Sequence, residues 1–300
     1  MNTKDTFFDL NLDSFRYTGR EPISLNKWDT EIDSLYESNE EYEELLRLTV
    51  TEISDLQERM YAHNRYGLLA VFQARDAAGK DGTIQRVFSG VNPAGIRVHS
   101  FKQPSSQELE RDFMWRCLVR LPERGTIGVF NRSYYEEVLA VKVHPKILHS
   151  QYLPDEWMDS EKIWKRRYKD IRNVEKYLHR NGFPTVKFFL HVSKEEQGKR
   201  LISRIKNESK NWKFNRQDVE ERGYWNQYTN AYEEAIGKTA TEKLPWYIIP
   251  ADDKKNMRLI VAKIMLEELK NLKTSYPQSD PEEQKVLQDM IAVIEQQNKE

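Results

Sequence analysis

From residue 31 to residue 63 the apolar positions Ile32, Leu35, Leu45, Leu46, Val50, Ile53 and Leu56 recur near helical spacing, which predicts one or two helices. From Gly67 onward the pattern changes. Short apolar runs alternate with long amphipathic stretches, as in an α/β domain built on a mainly parallel sheet. Five runs are the predicted strands: 68–73, 96–101, 126–130, 186–192 and 246–249. They are rich in Val, Ile, Phe and Leu, which suits a sheet covered on both faces. Helices are predicted over 82–91, 106–121, 157–181, 194–206, 216–236 and 256–272. Ser193 and Glu196 have the spacing of a capping box at the head of one of them. Residues 1–27 read as an irregular arm, with Gly19 and Pro22 as breakers. Pro277 and Pro281 set off a last helix whose Val286, Leu287, Met290, Ile291 and Ile294 require a partner surface. With no repeat or flexible linker, the expected organisation is one compact domain. An arm and helices (1–66) pack on a core (67–272), followed by a C-terminal helix (273–300).

Charge narrows the classes of function. The 300 residues carry 47 Lys+Arg against 48 Asp+Glu, a formal charge of -1, which argues against a general nucleic-acid or membrane-surface binder. A single cysteine excludes an internal disulfide or a Cys-based zinc site and fits a reducing compartment. No run approaches the roughly 18 apolar residues of a membrane span. The N-terminal residues also lack the basic-then-apolar order of a secretory signal. A cytoplasmic protein is expected.

Three segments carry candidate chemistry. In the first, the strand at 68–73 runs into Ala74-Arg-Asp-Ala-Ala-Gly-Lys80 and then into a helix. The N–H groups of Ala77, Ala78, Gly79 and Lys80 are placed to face one anion, with the helix N-terminus behind them and the Lys80 ammonium beside it. This follows the logic of a Walker-A phosphate loop with two departures: Ala74 replaces the first Gly, and Asp81 replaces the Ser or Thr after the lysine. The alternative is a plain strand–helix turn with a surface lysine. Asp76 would repel a phosphate unless a cation bridges them, so it reads either as an Mg²⁺ ligand or as a helix N-cap.

In the second segment, Asn131, Arg132 and Ser133 emerge at the C-terminal end of the strand at 126–130, where ligands of open α/β sheets gather. Asn131 stands where a Walker-B strand places Asp, which shifts the electrostatic burden to Asp76. Arg132 reads as a phosphate clamp or as a salt-bridge partner of Glu136 or Glu137. In the third segment, Arg200 and Arg204 share a helical face and are followed by a polar turn containing Lys213. A mobile lid over phosphates and a solvated charged face are both compatible with it. The six histidines show no close ligand pair, and the dispersed tryptophans read as core.

Taken together these segments resemble the polyphosphate kinase 2 family, polyphosphate:nucleotide phosphotransferases with a thymidylate-kinase-like P-loop fold. The resemblance spans roughly residues 26–272. It rests on Ala-Arg-Asp-Ala-Ala-Gly-Lys (74–80), Phe-Asn-Arg-Ser-Tyr-Tyr-Glu-Glu-Val-Leu (130–139) and Ser-Lys-Glu-Glu-Gln (193–197) with Asn-Trp-Lys-Phe (211–214). Many members carry Asp at the position of Asn131. The Asn form resembles the branch called class III, whose members phosphorylate nucleoside mono- and diphosphates. The resemblance implies a five-stranded, mainly parallel sheet flanked by helices, with a helical lid over about 193–215. It implies that Asp76 positions Mg²⁺ (or Mn²⁺), and that Lys80 and Arg132 hold the reacting phosphates. Asn131, Tyr135, Glu137, Arg200, Arg204 and Lys213 would lie on the nucleotide and lid side. Arg75, Lys102 and Arg86 are candidates for a cationic track under the polyphosphate donor. The implied partners are polyphosphate, nucleotides and further copies of the chain, with no nucleic acid or membrane. An ATP-dependent nucleotide kinase of the same fold and a non-catalytic polyanion-binding module are the competing readings.

Overall fold

The computed structural model describes residues 10–299, so residues 1–9 of the predicted arm lie outside the described residues. Six strands form one sheet: β1 (Arg16–Tyr17), β2 (Leu68–Ala74), β3 (Ile96–Ser100), β4 (Ile127–Asn131), β5 (Thr185–His191) and β6 (Trp246–Pro250). Their spatial order is β1-β6-β5-β2-β4-β3. Strands β2 to β6 pair in parallel, whereas β1 runs antiparallel to β6, with Tyr17 opposite Trp246. The five expected strands are present with small shifts at their ends. The sixth falls in the stretch expected to be irregular. Its two residues are too few for any alternation to register.

Helix α1 (Asn39–His63) is one helix. The Ser38 hydroxyl accepts from the Glu41 N–H at its start, and Asn64 closes its end in the left-handed conformation, φ 50°. Helix α2 (Lys80–Val87) follows β2, and four short ones precede the long α7 (Ser160–Arg180): α3 (Ser106–Leu109), α4 (Trp115–Leu118), α5 (Ala140–Val143) and α6 (Lys146–His149). After β5 come α8 (Lys194–Lys206), α9 (Arg216–Arg222) and α10 (Trp225–Thr239); after β6, α11 (Lys254–Asn271) and α12 (Pro281–Gln297).

Two predicted helices are broken. Within 106–121 the side chain of Asp112 accepts from the Met114 N–H at 3.0 Å and its carbonyl accepts from Trp115 at 3.1 Å, starting a new turn. Within 216–236 the N–H groups of Gly223 and Tyr224 bond back three residues to Glu220 and Glu221, tightening the chain between α9 and α10. The capping box predicted at α8 is half formed. The Ser193 hydroxyl accepts from the Glu196 N–H at 3.0 Å, but the Ser193 N–H bonds Asp252 at 2.8 Å and the Glu196 carboxylate turns to Arg200.

Alternation along β2 sends its side chains into two separate cores. Leu68, Ala70 and Phe72 meet Ile53 and Met60 of α1 and Ile260 and Ile264 of α11. Leu69 and Val71 face Ile171 and Leu178 of α7 and Ile236 of α10. The strand is thus buried over its full length, which fixes the position of the loop that leaves its C-terminal end.

Candidate active site

Past Ala74 the chain turns tightly before α2 begins. Ala77 is left-handed at φ 61°, and Gly79 at φ 113° occupies backbone space that side-chain-bearing residues avoid. A Cβ at Gly79 would stand 3.0 Å from the Met257 methyl, which closes the position further. A left-handed alanine costs about 1 kcal/mol, so the surroundings hold it in place. Arg200 does so. It is buried, and its guanidinium donates to the carbonyls of Ala77 (3.3 Å), Ala78 (2.6 Å), Ala251 (2.7 Å) and Asp252 (2.8 Å), while Nε pairs with Glu196 at 2.7 Å. In a trans peptide the C=O and the N–H point to opposite sides. Holding the Ala78 carbonyl therefore turns the Gly79 N–H the other way. The leading N–H groups of α2 have no carbonyl one turn earlier to bond, so they are also available to an anion.

Lys80, the first residue of α2, is buried, and its ammonium donates to the Ala74 carbonyl at 2.9 Å and the Arg75 carbonyl at 3.4 Å. Burial, with Arg132 nearby, pushes it down to about 8, against the pull of Asp76, Glu136 and Asp81. It is not the surface lysine of the plain-turn alternative. Asp76 is not the N-cap either, because Gly79 holds that position and makes no side-chain cap. The Asp76 carboxylate instead forms a close ion pair with Arg132.

Arg132 leaves the end of β4 in the left-handed conformation, φ 63°, with its N–H bonded to the Phe72 carbonyl of β2 at 3.0 Å. Of its two expected acidic partners it pairs with Glu136, at 3.0 Å, in addition to Asp76, while Glu137 lies beside Arg167. Glu136 and then Asp76 push its pKa up against the effect of burial, so it is a permanent cation. The neighbouring Asn131 donates from its amide to Asp81 Oδ1 at 2.5 Å. The carboxylate that the end of β4 lacks is therefore present, supplied by the residue after Lys80. Asp76 is thus not the sole carboxylate of these two segments at this edge of the sheet, and Asp81 is a neighbour that reasoning from sequence did not single out. The signal was the departure from Ser or Thr at that position.

An open cleft lies against this group, reaching from Asp76 and Arg132 to Trp225, Tyr228 and Tyr232 of α10. Trp225 is thus a cleft residue rather than core. The Arg75 guanidinium stacks 3.8 Å from the Trp225 ring centre, donates to Thr229 at 2.5 Å and is lowered to about 10 by burial. It belongs to the cleft wall, not to an open cationic track. Lys102 is exposed beyond β3, two strands from β2, and Arg86 pairs with Glu43 at 2.6 Å. The structure does not bring these three cations into one line.

The expected nucleotide and lid residues divide. Arg200 is corrected from an exposed lid cation to a buried brace of the phosphate loop. Arg204 pairs with Asp218 of α9 at 3.0 Å, and Lys213 is exposed beside Trp212. Tyr135 is wholly buried behind the site, with its hydroxyl on Glu175 at 2.8 Å, so it faces neither cleft nor lid. Glu137 is buried in a separate hollow, where it accepts from Gln151 at 2.6 Å beside Arg167, and burial raises its pKa.

A glycine-turned loop, a buried lysine and an arginine thus meet at adjacent ends of parallel strands. A family model described as Polyphosphate kinase 2 (PPK2) matches residues 36–277, and the chain belongs to that family. It is 53% identical over 276 residues to an ADP-polyphosphate phosphotransferase of Rhodopseudomonas palustris, covering 92% of this chain and 96% of the relative. It is 40% identical over 266 residues to an AMP/ADP-polyphosphate phosphotransferase of Meiothermus ruber, covering 88% and 95%. The crystal structure of Polyphosphate Kinase 2 from Arthrobacter aurescens superposes with a TM-score of 0.84 at 33% identity, over 96% of this chain and 98% of that one.

Proposed function

We propose that this enzyme transfers the terminal phosphoryl group of inorganic polyphosphate to nucleoside mono- and diphosphates, AMP to ADP and ADP to ATP. The observation that carries this reading is the buried Lys80 ammonium beside Arg132, at the head of α2, whose leading N–H groups have no carbonyl to bond. Of the four loop N–H groups expected to face an anion, that of Ala78 is instead held by the Arg75 carbonyl at 3.3 Å. An oxygen of the acceptor's terminal phosphate attacks the end phosphorus of the chain. The bond from that phosphorus to its bridging oxygen breaks, and the chain leaves one unit shorter. The loop N–H groups, Lys80 and Arg132 orient and neutralise the reacting phosphates, so positioning and charge carry the acceleration. Two of the five N–H donors of Arg132 are engaged by Asp76 and Glu136, which leaves the rest for phosphate oxygens.

Asp76 and Asp81 offer hard carboxylate oxygens at the loop, a donor set that fits Mg²⁺, with Mn²⁺ as a substitute. Among the described residues no three His, Cys, Asp or Glu side chains converge as a ready cage, which fits a cation shared with substrate phosphates. When bound, such an ion neutralises phosphate charge. In this reading Asp81, steadied by the Asn131 amide, takes the part a strand-end Asp would otherwise play.

The stretch 193–215 serves as the lid, with Arg204 and Lys213 as its cations, and the exposed apolar face of α12 joins copies of the chain into a homo-oligomer in the cytoplasm. No helix among the described residues is long and apolar enough to cross a membrane. The donor separates this reading from an ATP-dependent kinase. With AMP as acceptor, polyphosphate alone is expected to yield ADP, and ATP alone far less. ATP as the better donor would overturn the proposal.

A further inference from the structure

Behind the site lies a charged network with no access to solvent. Lys187 sits in the middle of β5, between Val71 of β2 and Trp246 of β6, and Glu175 faces it from α7. Both side chains are 0% exposed, and the Lys187 ammonium stands 2.6 Å from Glu175 Oε2 and 3.2 Å from the Thr239 carbonyl. The other carboxylate oxygen, Oε1, accepts from two hydroxyls, Tyr134 at 3.0 Å and Tyr135 at 2.8 Å. The Tyr135 ring meets Trp246 edge to face at 4.7 Å between centres.

A fully buried ion pair is a poor source of stability. Desolvation offsets its attraction, and apolar side chains of similar volume fill such a space as well or better. What this pair does that apolar residues cannot is hold two hydroxyls in place. Those hydroxyls belong to the residues directly after Arg132 and Ser133. A non-glycine residue in the left-handed region, as Arg132 is, persists where its neighbours over-determine it. The contacts run without a gap from the network to that turn. The Ser133 hydroxyl accepts from the Tyr135 N–H at 3.1 Å. The Gln73 amide, oriented to satisfy its partners, accepts from Ser133 and donates to Glu136 at 2.9 Å, and Glu136 grips Arg132.

We propose that Glu175 and Lys187 are positioning residues that keep the Arg132 turn, through Tyr134 and Tyr135, in the geometry phosphoryl transfer requires. This rests on the part assigned to Arg132 above. Released from behind, the turn relaxes and the guanidinium moves off the mouth of the loop, where a displacement of about 1 Å costs on the order of 10²-fold in rate.

Two double variants test it, assayed with polyphosphate and ADP well below their melting temperatures, alongside Arg132→Ala. Glu175→Leu/Lys187→Met replaces the pair by apolar volume, and Tyr134→Phe/Tyr135→Phe removes only the hydroxyls. Both are expected to lower kcat about tenfold or more with KM for ADP within about threefold. Glu175→Leu/Lys187→Met also takes the acceptor from the buried Tyr134 and Tyr135 hydroxyls, so its melting temperature should fall, and kcat of the folded protein is the deciding readout. A network that merely supported the fold would lower stability and leave the turnover of the folded fraction intact. Wild-type kcat in either folded variant, with Arg132→Ala inactive, overturns the inference. Should Glu175→Leu/Lys187→Met fail to fold, the tyrosine pair decides alone. Full rate in Arg132→Ala would instead overturn the role of Arg132 itself.

Discussion

Lys80 is a cation that burial makes easy to lose, and its pH behaviour follows from that. Its pKa near 8 means that free enzyme sheds the charge under mildly alkaline conditions. Bound phosphates favour the charged form, so kcat/KM is expected to fall above about pH 8 while the fall in kcat lies at higher pH. Lys80→Arg should abolish the limb near 8. For stability the sign is opposite. Between pH 8 and the ordinary lysine range the unfolded chain binds more protons than the folded one, so burying Lys80 is unfavourable below 8 and less so as pH rises. The melting temperature of Lys80→Met, measured against wild type, should therefore be relatively highest near pH 7 and lose that advantage toward pH 10. Asp81 invites a charge exchange. Asp81→Asn should weaken Mn²⁺ binding, read by calorimetry with ADP present, and slow turnover about tenfold or more. Asp81→Asn/Asn131→Asp returns a carboxylate to the same contact and should recover much of both. Failure of the exchange to recover Mn²⁺ binding would remove Asp81 from the metal's neighbourhood.

At the scale of elements, α8 carries two arginines that the sequence makes equivalent and the fold does not. Arg200 braces four carbonyls from two segments of chain, whereas Arg204 meets one carboxylate at a partly exposed position. Arg200→Ala is expected to cost about 3 kcal/mol, since buried carbonyls lose their donor, and to lower activity because Ala77 is no longer held. Arg204→Ala should cost less than about 1 kcal/mol. Equal melting temperatures for the two variants would contradict the brace. This difference also marks the limit of what was legible in the sequence. The five long strands and the loop motif were readable because periodicity and a strand–glycine–lysine–helix order are local. The burial of Arg200 depends on where the carbonyls of Ala77 and Ala78 arrive from 120 residues away, and no spacing reports that. Lys187 hides in an apolar run for the same reason, its partner being on another element. Asp112 and Gly223 break helices through local bonds that hydrophobic periodicity passes over.

For the whole molecule, the parallel sheet brings the ends of β2 and β4 side by side, so two loops far apart in sequence meet at one edge of the sheet. The chain ends add a second feature. Val286, Leu287, Met290, Ile291 and Ile294 of α12 are about half exposed, an apolar face that water does not favour. If α12 joins copies, Leu287→Asp/Ile291→Asp should reduce the oligomer seen by sedimentation. An unchanged sedimentation coefficient would place the contact elsewhere. Neither outcome touches the proposal that Lys80 and Arg132, from two loops, move phosphate from polyphosphate to a nucleotide. The most direct measurement is the appearance of ADP and then ATP from AMP, followed by chromatography with long-chain polyphosphate, Mg²⁺ and no ATP, for wild type and Lys80→Ala together. The account predicts both products from wild type and a rate at least 10²–10³-fold lower from a folded Lys80→Ala protein. No product from wild type, or equal rates from the two, would contradict it.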